Sequence, residues 1–505
     1  MSKNTTILKN ASYLVFRTLV VSLIGLFTVR EVLRLLGVEG YGLFNLVFGI
    51  ATLFTFINGA MVSSTQRYLS FYIGKKNEKL LDDVWRSSLF LHFLIAVLVS
   101  TVLFSFKSLI LNSLLSIDEG YIDAARFVFN LAVVSIFLTI FQSPFNALIL
   151  AKEKMSFYAV LSLYDAVTKL LIVYLLYYLS DPLLEKYTSL YVGSSLIVFF
   201  SYIVYCSRKF DKKIQLKVSN SNLLKEMFFY SAWNIFGNFS NVAKIQGINI
   251  LLNIFFGIVI NSTYAITNTL TGAVGGLTNA ITTAINPQIY KSYAEENFER
   301  NALLINIGSK FSFFFCLIVI LPILLNTKYL LELWLHEIPA YLVYFVQLAL
   351  IVMLIDCLSG ALMTGIQATG KVKIYQIVVS VSVFLNLPLS YLALQFIKEP
   401  WIVYWIALFM SFVSLGLRLY FLSHLTKFSI LNYVKFVLAK AFLVSFISVF
   451  LCWLFMSIFE KQSQIVLFLS SLIIAIVIVL INIILFGLSS AERQFIQNKI
   501  KGYLK

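Results

Sequence analysis

Apolar positions in this chain run in long blocks separated by short polar segments. The blocks cover roughly 13–36, 41–66, 87–112, 124–150, 157–180, 187–207, 228–257, 260–287, 304–326, 339–366, 375–397, 400–424, 434–459 and 463–488. A helix that crosses the hydrocarbon core of a bilayer needs about 20 predominantly apolar residues, so the pattern predicts an all-α, polytopic membrane protein with about 14 transmembrane helices. Pro144, Pro287, Pro322 and Pro388 lie inside these blocks without disqualifying them, because membrane helices that face other helices or cavities tolerate proline.

The pattern also repeats. Tyr41, Asn45 and Gly49 recur as Tyr264, Asn268 and Gly272, and Gln66, Tyr68 and Ser70 recur as Gln288, Tyr290 and Ser292. The second helix therefore answers to the eighth. An even number of helices in the period makes the halves parallel repeats about an axis along the membrane normal. The predicted organisation is an N-terminal lobe over 1–210, a C-terminal lobe over 223–427, two additional helices over 432–488, and a tail over 489–505.

Composition sharpens this picture. Of 505 residues, 60% are hydrophobic and 12% charged, against about 45–50% and 25% in soluble chains, which leaves no room for a sizeable soluble domain. The net charge of +16 does not indicate nucleic-acid binding, because the basic residues fall in alternate interhelical segments. The opposite set holds only Arg30, Arg34, Lys107, Lys186, Lys328, Lys398 and Lys461, so the positive-inside rule places both termini in the cytoplasm. Lys3 and Lys9 precede an apolar run as in a signal peptide, but Arg17 interrupts the run and Glu31 and Arg34 stand where a cleavage site would be. It reads as an uncleaved first helix. Cys206, Cys316, Cys357 and Cys452 are far apart in apolar runs and read as packing residues.

Several helices carry polar stripes. On the eighth, Tyr264, Asn268, Thr271, Gly275, Asn279, Thr282 and Asn286 share one face at 100° per residue; on the second, Asn45, Gly49, Thr52, Gly59, Ser63 and Gln66 do the same. The seventh adds Asn234, Asn238, Asn241 and Asn249. Small and polar residues also glue membrane helices together, so one stripe alone is as well explained by packing as by a cavity. Three on repeat-related helices favour a shared aqueous cavity.

Charges within spans are costly, about 2.5–3.5 kcal/mol at the bilayer centre. Here Arg17, Arg67, Arg126, Lys169, Lys244, Lys310 and Arg418 face only Asp165 and Asp356, which predicts a cationic interior. Arg67, Arg126, Lys310 and Arg418 lie near enough to helix ends to snorkel. Lys244 lies too deep for that and beside the asparagine stripe. Asp165 and Lys169 form an i, i+4 pair that can neutralise itself, and Asp356 has no such partner, so it is either paired across helices or a proton or cation site. Arg17, Arg67, Lys244, Asn45, Asn238, Asn241, Asn268 and Asn279 are the candidate substrate-binding residues, and Asp165, Lys169 and Asp356 the candidate coupling residues. No catalytic residue or metal site is expected, because His92, His336 and His424 are scattered and no nucleophile or metal-ligand spacing occurs.

The segments Asn10-Ala-Ser-Tyr with Arg17, Arg34 to Gly42 (RLLGVEGYG), Asn58-Gly59 and Gln66-Arg67-Tyr68 resemble the Wzx-type polysaccharide flippases of the multidrug/oligosaccharidyl-lipid/polysaccharide (MOP) exporter superfamily. The resemblance implies two MATE-like six-helix lobes, two helices behind them, and a central cavity that faces each side in turn. It also implies a substrate, undecaprenyl-diphosphate-linked oligosaccharide, moved from the cytoplasmic to the periplasmic leaflet of the bacterial inner membrane for O-antigen, capsule or exopolysaccharide assembly. No cofactor is expected beyond H+ or Na+ coupling, and the expected partners are the lipid-linked oligosaccharide, membrane lipids and polysaccharide polymerase machinery. A pyrophosphate suits Arg and Lys at low dielectric, and sugar hydroxyls suit Asn, Thr, Ser and Tyr. A multidrug or cation antiporter of the same superfamily would present deep acidic residues instead, and an intramembrane polysaccharide polymerase would carry a large outward loop.

Overall fold

A computed structural model describes residues 3–53, 55–114, 119–216, 218, 220–256, 258–335, 338–458, 464–490 and 492–494. Among them there is no strand. The helices are α1 Lys3–Leu53, α2 Thr55–Gly74, α3 Glu78–Ser105, the single turn α4 Lys107–Leu109, α5 Ile122–Ala151, α6 Met155–Leu176, α7 Leu183–Phe210, α8 Ser221–Phe256, α9 Ile258–Ala294, α10 Phe298–Leu325, α11 Thr327–Trp334, α12 Leu342–Asp356, α13 Ser359–Thr369, α14 Lys373–Phe396, α15 Ile402–Leu425, the turn α16 Ile430–Tyr433, α17 Ala439–Ile458 and α18 Gln464–Asn482.

Eleven helical stretches among the described residues are long and apolar enough to cross a membrane. The predicted second, seventh and eighth spans, which fall on α1–α2, α8 and α9, are not among them. These are the polar-striped helices, and each of the three runs onto residues outside the described ones, so about 14 spans accords with the eleven. Two boundaries differ from the sequence pattern. The backbone of α1 is helical through 37–40, where the pattern separates two helices, because a helix that continues keeps every N–H and C=O satisfied without water. The predicted helix over 339–366 is instead interrupted between Asp356 and Ser359.

By contacts the chain forms two compact units: Met1–Val242 with Thr283–Asn297 and Val372–Ile377, and Ala243–Thr282 with Phe298–Lys371 and Val378–Lys505. In the first unit α5 packs against α2, α3 and α7. Its buried side chains, among them Phe129, Phe145 and Leu148, meet Leu81, Leu89 and Val198 in one apolar core. Helix α1 lies along α6, tied by the Tyr177 hydroxyl donating to Glu31 at 2.8 Å. In the second unit α12 packs on α15, and α10 on α13 and α18. Phe345, Tyr404, Ile248 and Leu252 form a second core. All four cysteines are buried and unbridged.

The turns that follow α2, α5 and α9 are built alike. Asn77, Lys154 and Asn297 donate their amides to Tyr72, Ile149 and Ser292, and Lys76, Glu153 and Glu296 donate to Ile73, Leu150 and Tyr293. Lys76, Glu153 and Glu296 are left-handed, at φ of 53°, 57° and 57°, which completes a Schellman ending. The α2 and α9 turns also fix the register of the repeat. Gly74 and Ala294 end their helices, and Glu78 and Phe298 begin the next, an offset of 220 rather than the 222–223 of the letter matches. Gln66 then stands opposite Asn286, not Gln288.

Candidate functional site

In the first unit the polar stripe of α2 meets that of α8 near the end of α2. Ser231 donates to Ser64 at 2.8 Å, the Tyr68 hydroxyl donates to Glu226 at 3.0 Å, and Gln376 donates to Asn234 at 2.9 Å. Gly59 lies against Asn238, where an added Cβ would sit 3.6 Å from the amide nitrogen. Arg67 is enclosed here, 5% exposed, with its guanidinium 4.5, 5.0 and 5.5 Å from the rings of Tyr68, Tyr230 and Phe71. The sequence pattern expects it to snorkel. The aromatic cage holds it inside, because ring faces attract a guanidinium that is less strongly hydrated than an ammonium.

A second grouping lies on α1, α6 and α7. The Arg17 guanidinium sits 5.0 Å from the Tyr158 ring, and its Nε is buried without a hydrogen-bond acceptor. Two turns further along α6, Lys169 donates to Asp165 at 2.8 Å and stands 4.4 Å from the Tyr191 ring. The i, i+4 pair of the sequence is thus formed. Two cations and one carboxylate leave this half-buried grouping with an excess of one positive charge and an unmet donor. Asn241 is exposed, and the Asn45 side chain lies outside the described residues.

At the α5–α6 turn, Gln288 donates to the Glu153 carboxylate at 2.7 Å and Lys291 pairs with it. Lys212 pairs with Asp82, and the Trp85 indole donates to the Lys213 carbonyl at 2.9 Å. Burial pushes the Lys152 ammonium below the usual lysine value; Glu78 opposes this, and Lys212 and Lys291 add to it. None of these pairs is visible in sequence spacing, since the partners lie more than a hundred residues apart.

In the second unit Lys244 is half-buried on α8 and has no hydrogen-bond or ion-pair partner among the described residues. Asn268 is half-buried, with its side chain in hydrogen-bond reach of the buried Tyr264 hydroxyl. Asn279 is exposed. Asp356 is exposed at the interruption between α12 and α13, again without a partner among the described residues. Two further cations expected to snorkel do not. Lys310 is 4% exposed and donates to both carboxylate oxygens of Glu492 at 2.7 Å, and Arg418, 9% exposed, donates to Ser359 at 3.0 Å. Lys310 thus finds a counter-charge inside the protein, whereas Arg418 is held by a neutral hydroxyl and its Nε is buried without an acceptor. Arg126 is exposed and pairs with Asp123 at 3.2 Å. Among the described residues, no group of three His, Cys, Asp or Glu is placed to hold a metal ion.

Solved structures with similar folds are transporters. A MATE protein in the bent conformation is 14% identical, over 84% of this chain and 96% of that one, at a TM-score of 0.74. An outward-facing multidrug resistance MATE transporter of the MOP superfamily is 13% identical over 84% and 97%, at 0.74. A MOP superfamily transporter from Pyrococcus furiosus, described as having a binding pocket of reversed polarity that suggests a different function, is 14% identical over 83% and 96%, at 0.73. Comparison with curated protein sequences gives no match. At these identities the likeness is one of fold: all-helical, membrane-spanning and MATE-like. The family model described as "Polysaccharide biosynthesis protein" matches residues 7–293, and because that is more than half of the sequence, the chain belongs to this family.

Proposed function

We propose that the protein flips undecaprenyl-diphosphate-linked oligosaccharide from the cytoplasmic to the periplasmic leaflet of the bacterial cytoplasmic membrane, for O-antigen, capsule or exopolysaccharide assembly. The observation that carries this reading is the half-buried Arg17 with its orphaned Nε; Lys244, half-buried on α8 and without a partner among the described residues, is the second proposed cation. The buried Arg17 Nε is costly unless an acceptor arrives. A diphosphate supplies dense anionic acceptors, and Asn238, Asn241, Asn268 and Asn279 suit the hydroxyls of an attached glycan. The enclosed Arg67 contributes positive potential from behind its aromatic cage.

The remaining assignments follow from this reading. Residues 1–210 and 223–427 act as lobes that rock about the substrate, 432–488 as accessory helices, and 489–505 as a tail, with both termini cytoplasmic. The protein catalyses no bond change. Asp356, at a helix interruption, stands where backbone carbonyls at the end of a half-helix can join a carboxylate around a proton or Na+. Asp165 with Lys169 offers a second titratable pair.

The test is complementation of a flippase-null strain. Lys244→Ala and Arg17→Ala should sharply reduce surface polysaccharide at matched membrane levels, with lipid-linked glycan accumulating on the cytoplasmic side, and Lys244→Arg should retain much of the activity. Normal export by Lys244→Ala would reduce the lysine to a structural role, and polymer of altered length with normal translocation would point to a polymerase.

A further inference from the structure

A groove of about 640 Å³ opens on the surface of the first unit between α6 and α7. This is within the range of small-molecule sites, about 300–1,000 Å³. Ile197, Phe200 and Val204 line it and are 52%, 57% and 47% exposed. They stand three and four residues apart, so they form one stripe along α7 that reaches Arg208 in its last turn. From Ile197 to Arg208 the stripe is about 16 Å long at 1.5 Å per residue. Phe157 of α6 and Tyr205 of α7 stack at 3.6 Å and 13° and give the groove a flat aromatic wall. At its end Arg208 and Lys209 are exposed, and neither has an ion-pair partner among the described residues.

We propose that this groove is a binding site for one glycerophospholipid with an anionic headgroup. The apolar stripe lies within the membrane-spanning part of α7, and the two cations lie at the end of that span, where a headgroup phosphate sits. An acyl chain along Ile197, Phe200 and Val204 therefore brings its phosphate to Arg208 and Lys209. Basic pockets between membrane helices recognise anionic lipids in this way. Neither Arg17 nor Lys244 lines it, and its existence does not depend on what the protein transports.

Native mass spectrometry on the full chain in a zwitterionic detergent tests it, titrating dioleoyl phosphatidylglycerol against dioleoyl phosphatidylcholine. Phosphatidylglycerol should be retained preferentially. Arg208→Gln/Lys209→Gln should weaken it about 30-fold, the equivalent of about 1 kcal/mol for each cation at an anionic surface, with phosphatidylcholine unchanged. Val204→Trp, which fills the groove and keeps both charges, should weaken phosphatidylglycerol as well. All these positions are exposed, so thermal unfolding at the parental temperature confirms that the variants are folded. Equal retention of the two lipids, or phosphatidylglycerol binding insensitive to the double substitution, overturns the site. Displacement of phosphatidylglycerol by a lower concentration of farnesyl diphosphate overturns it too, by assigning the groove to the polyprenyl carrier.

Discussion

Lys310 and Glu492 offer a quantitative test of how the end of the chain is held. The Lys310 side chain is 5% exposed and that of Glu492 17%, and the ammonium bonds both carboxylate oxygens. Ser489 donates its amide to the same carboxylate at 2.7 Å and accepts the Glu492 amide on its hydroxyl at 3.4 Å, a capping box at the start of the tail. Breaking a buried pair from one side costs about 3–5 kcal/mol, because the other charge is stranded, whereas removing both charges is close to neutral. Glu492→Gln keeps the capping geometry and strands the lysine; Lys310→Met strands the carboxylate, which has some water. We expect each single substitution to cost about 3 kcal/mol and Lys310→Met/Glu492→Gln about 1 kcal/mol. At about 2–4 °C per kcal/mol for a unit of this size, the single variants should melt about 6–12 °C below the parent in the same detergent at pH 7, and the double variant close to it. A double variant that loses the sum of the singles would refute the pairing. Acid provides a second readout. Burial raises the Glu492 carboxyl, but the bonds from Lys310 and Ser489 outweigh it and leave it below the ordinary carboxylate value. A depressed group stabilises the fold above its unfolded value, and that contribution disappears as pH falls through the folded value. The gap between parent and Glu492→Gln should therefore close on acidification.

Two other expectations concern packing and orientation. A Cβ at Gly74 would lie 2.8 Å from the Lys291 carbonyl oxygen and 2.9 Å from its Cα; backbone cannot swing aside, so Gly74→Ala should cost about 1–3 kcal/mol, read as a lowered melting temperature, and an unchanged one would contradict this close approach. A reporter fused after Lys212 should read cytoplasmic and one after Glu399 periplasmic, and reversed signals at both would overturn the orientation.

The helical architecture is legible in the sequence because membrane spans announce themselves by length and apolarity, and α3, α5, α7 and α10 do so without ambiguity. The striped helices are legible for the opposite reason, since Asn234, Asn238, Asn268 and Asn279 are conspicuous in apolar surroundings. What spacing fails to reveal is whose polar group each one meets. Asn234 is bonded to Gln376 and Ser64 to Ser231, contacts that hold helices together. Lys310 and Arg418 resemble snorkelling residues until Glu492 and Ser359 are brought beside them. The repeat is visible in its letters, yet its register is set by backbone turns, so matching identical residues across the halves misplaces it by two or three positions.

The turns at Lys75–Asn77 and Lys152–Lys154 bear on how the first unit can move. Their carbonyls and amides are closed on one another and no residue is spare, so α2 with α3, and α5 with α6, behave as stiff levers that share a fixed elbow. Neither helix of a pair can slide past the other without breaking that elbow. The connection from α7 to α8 is held differently, through side chains of α3: Asp82 pairs with Lys212, and the Trp85 indole donates to the Lys213 carbonyl, so the end of α7 is tied to the α2–α3 lever.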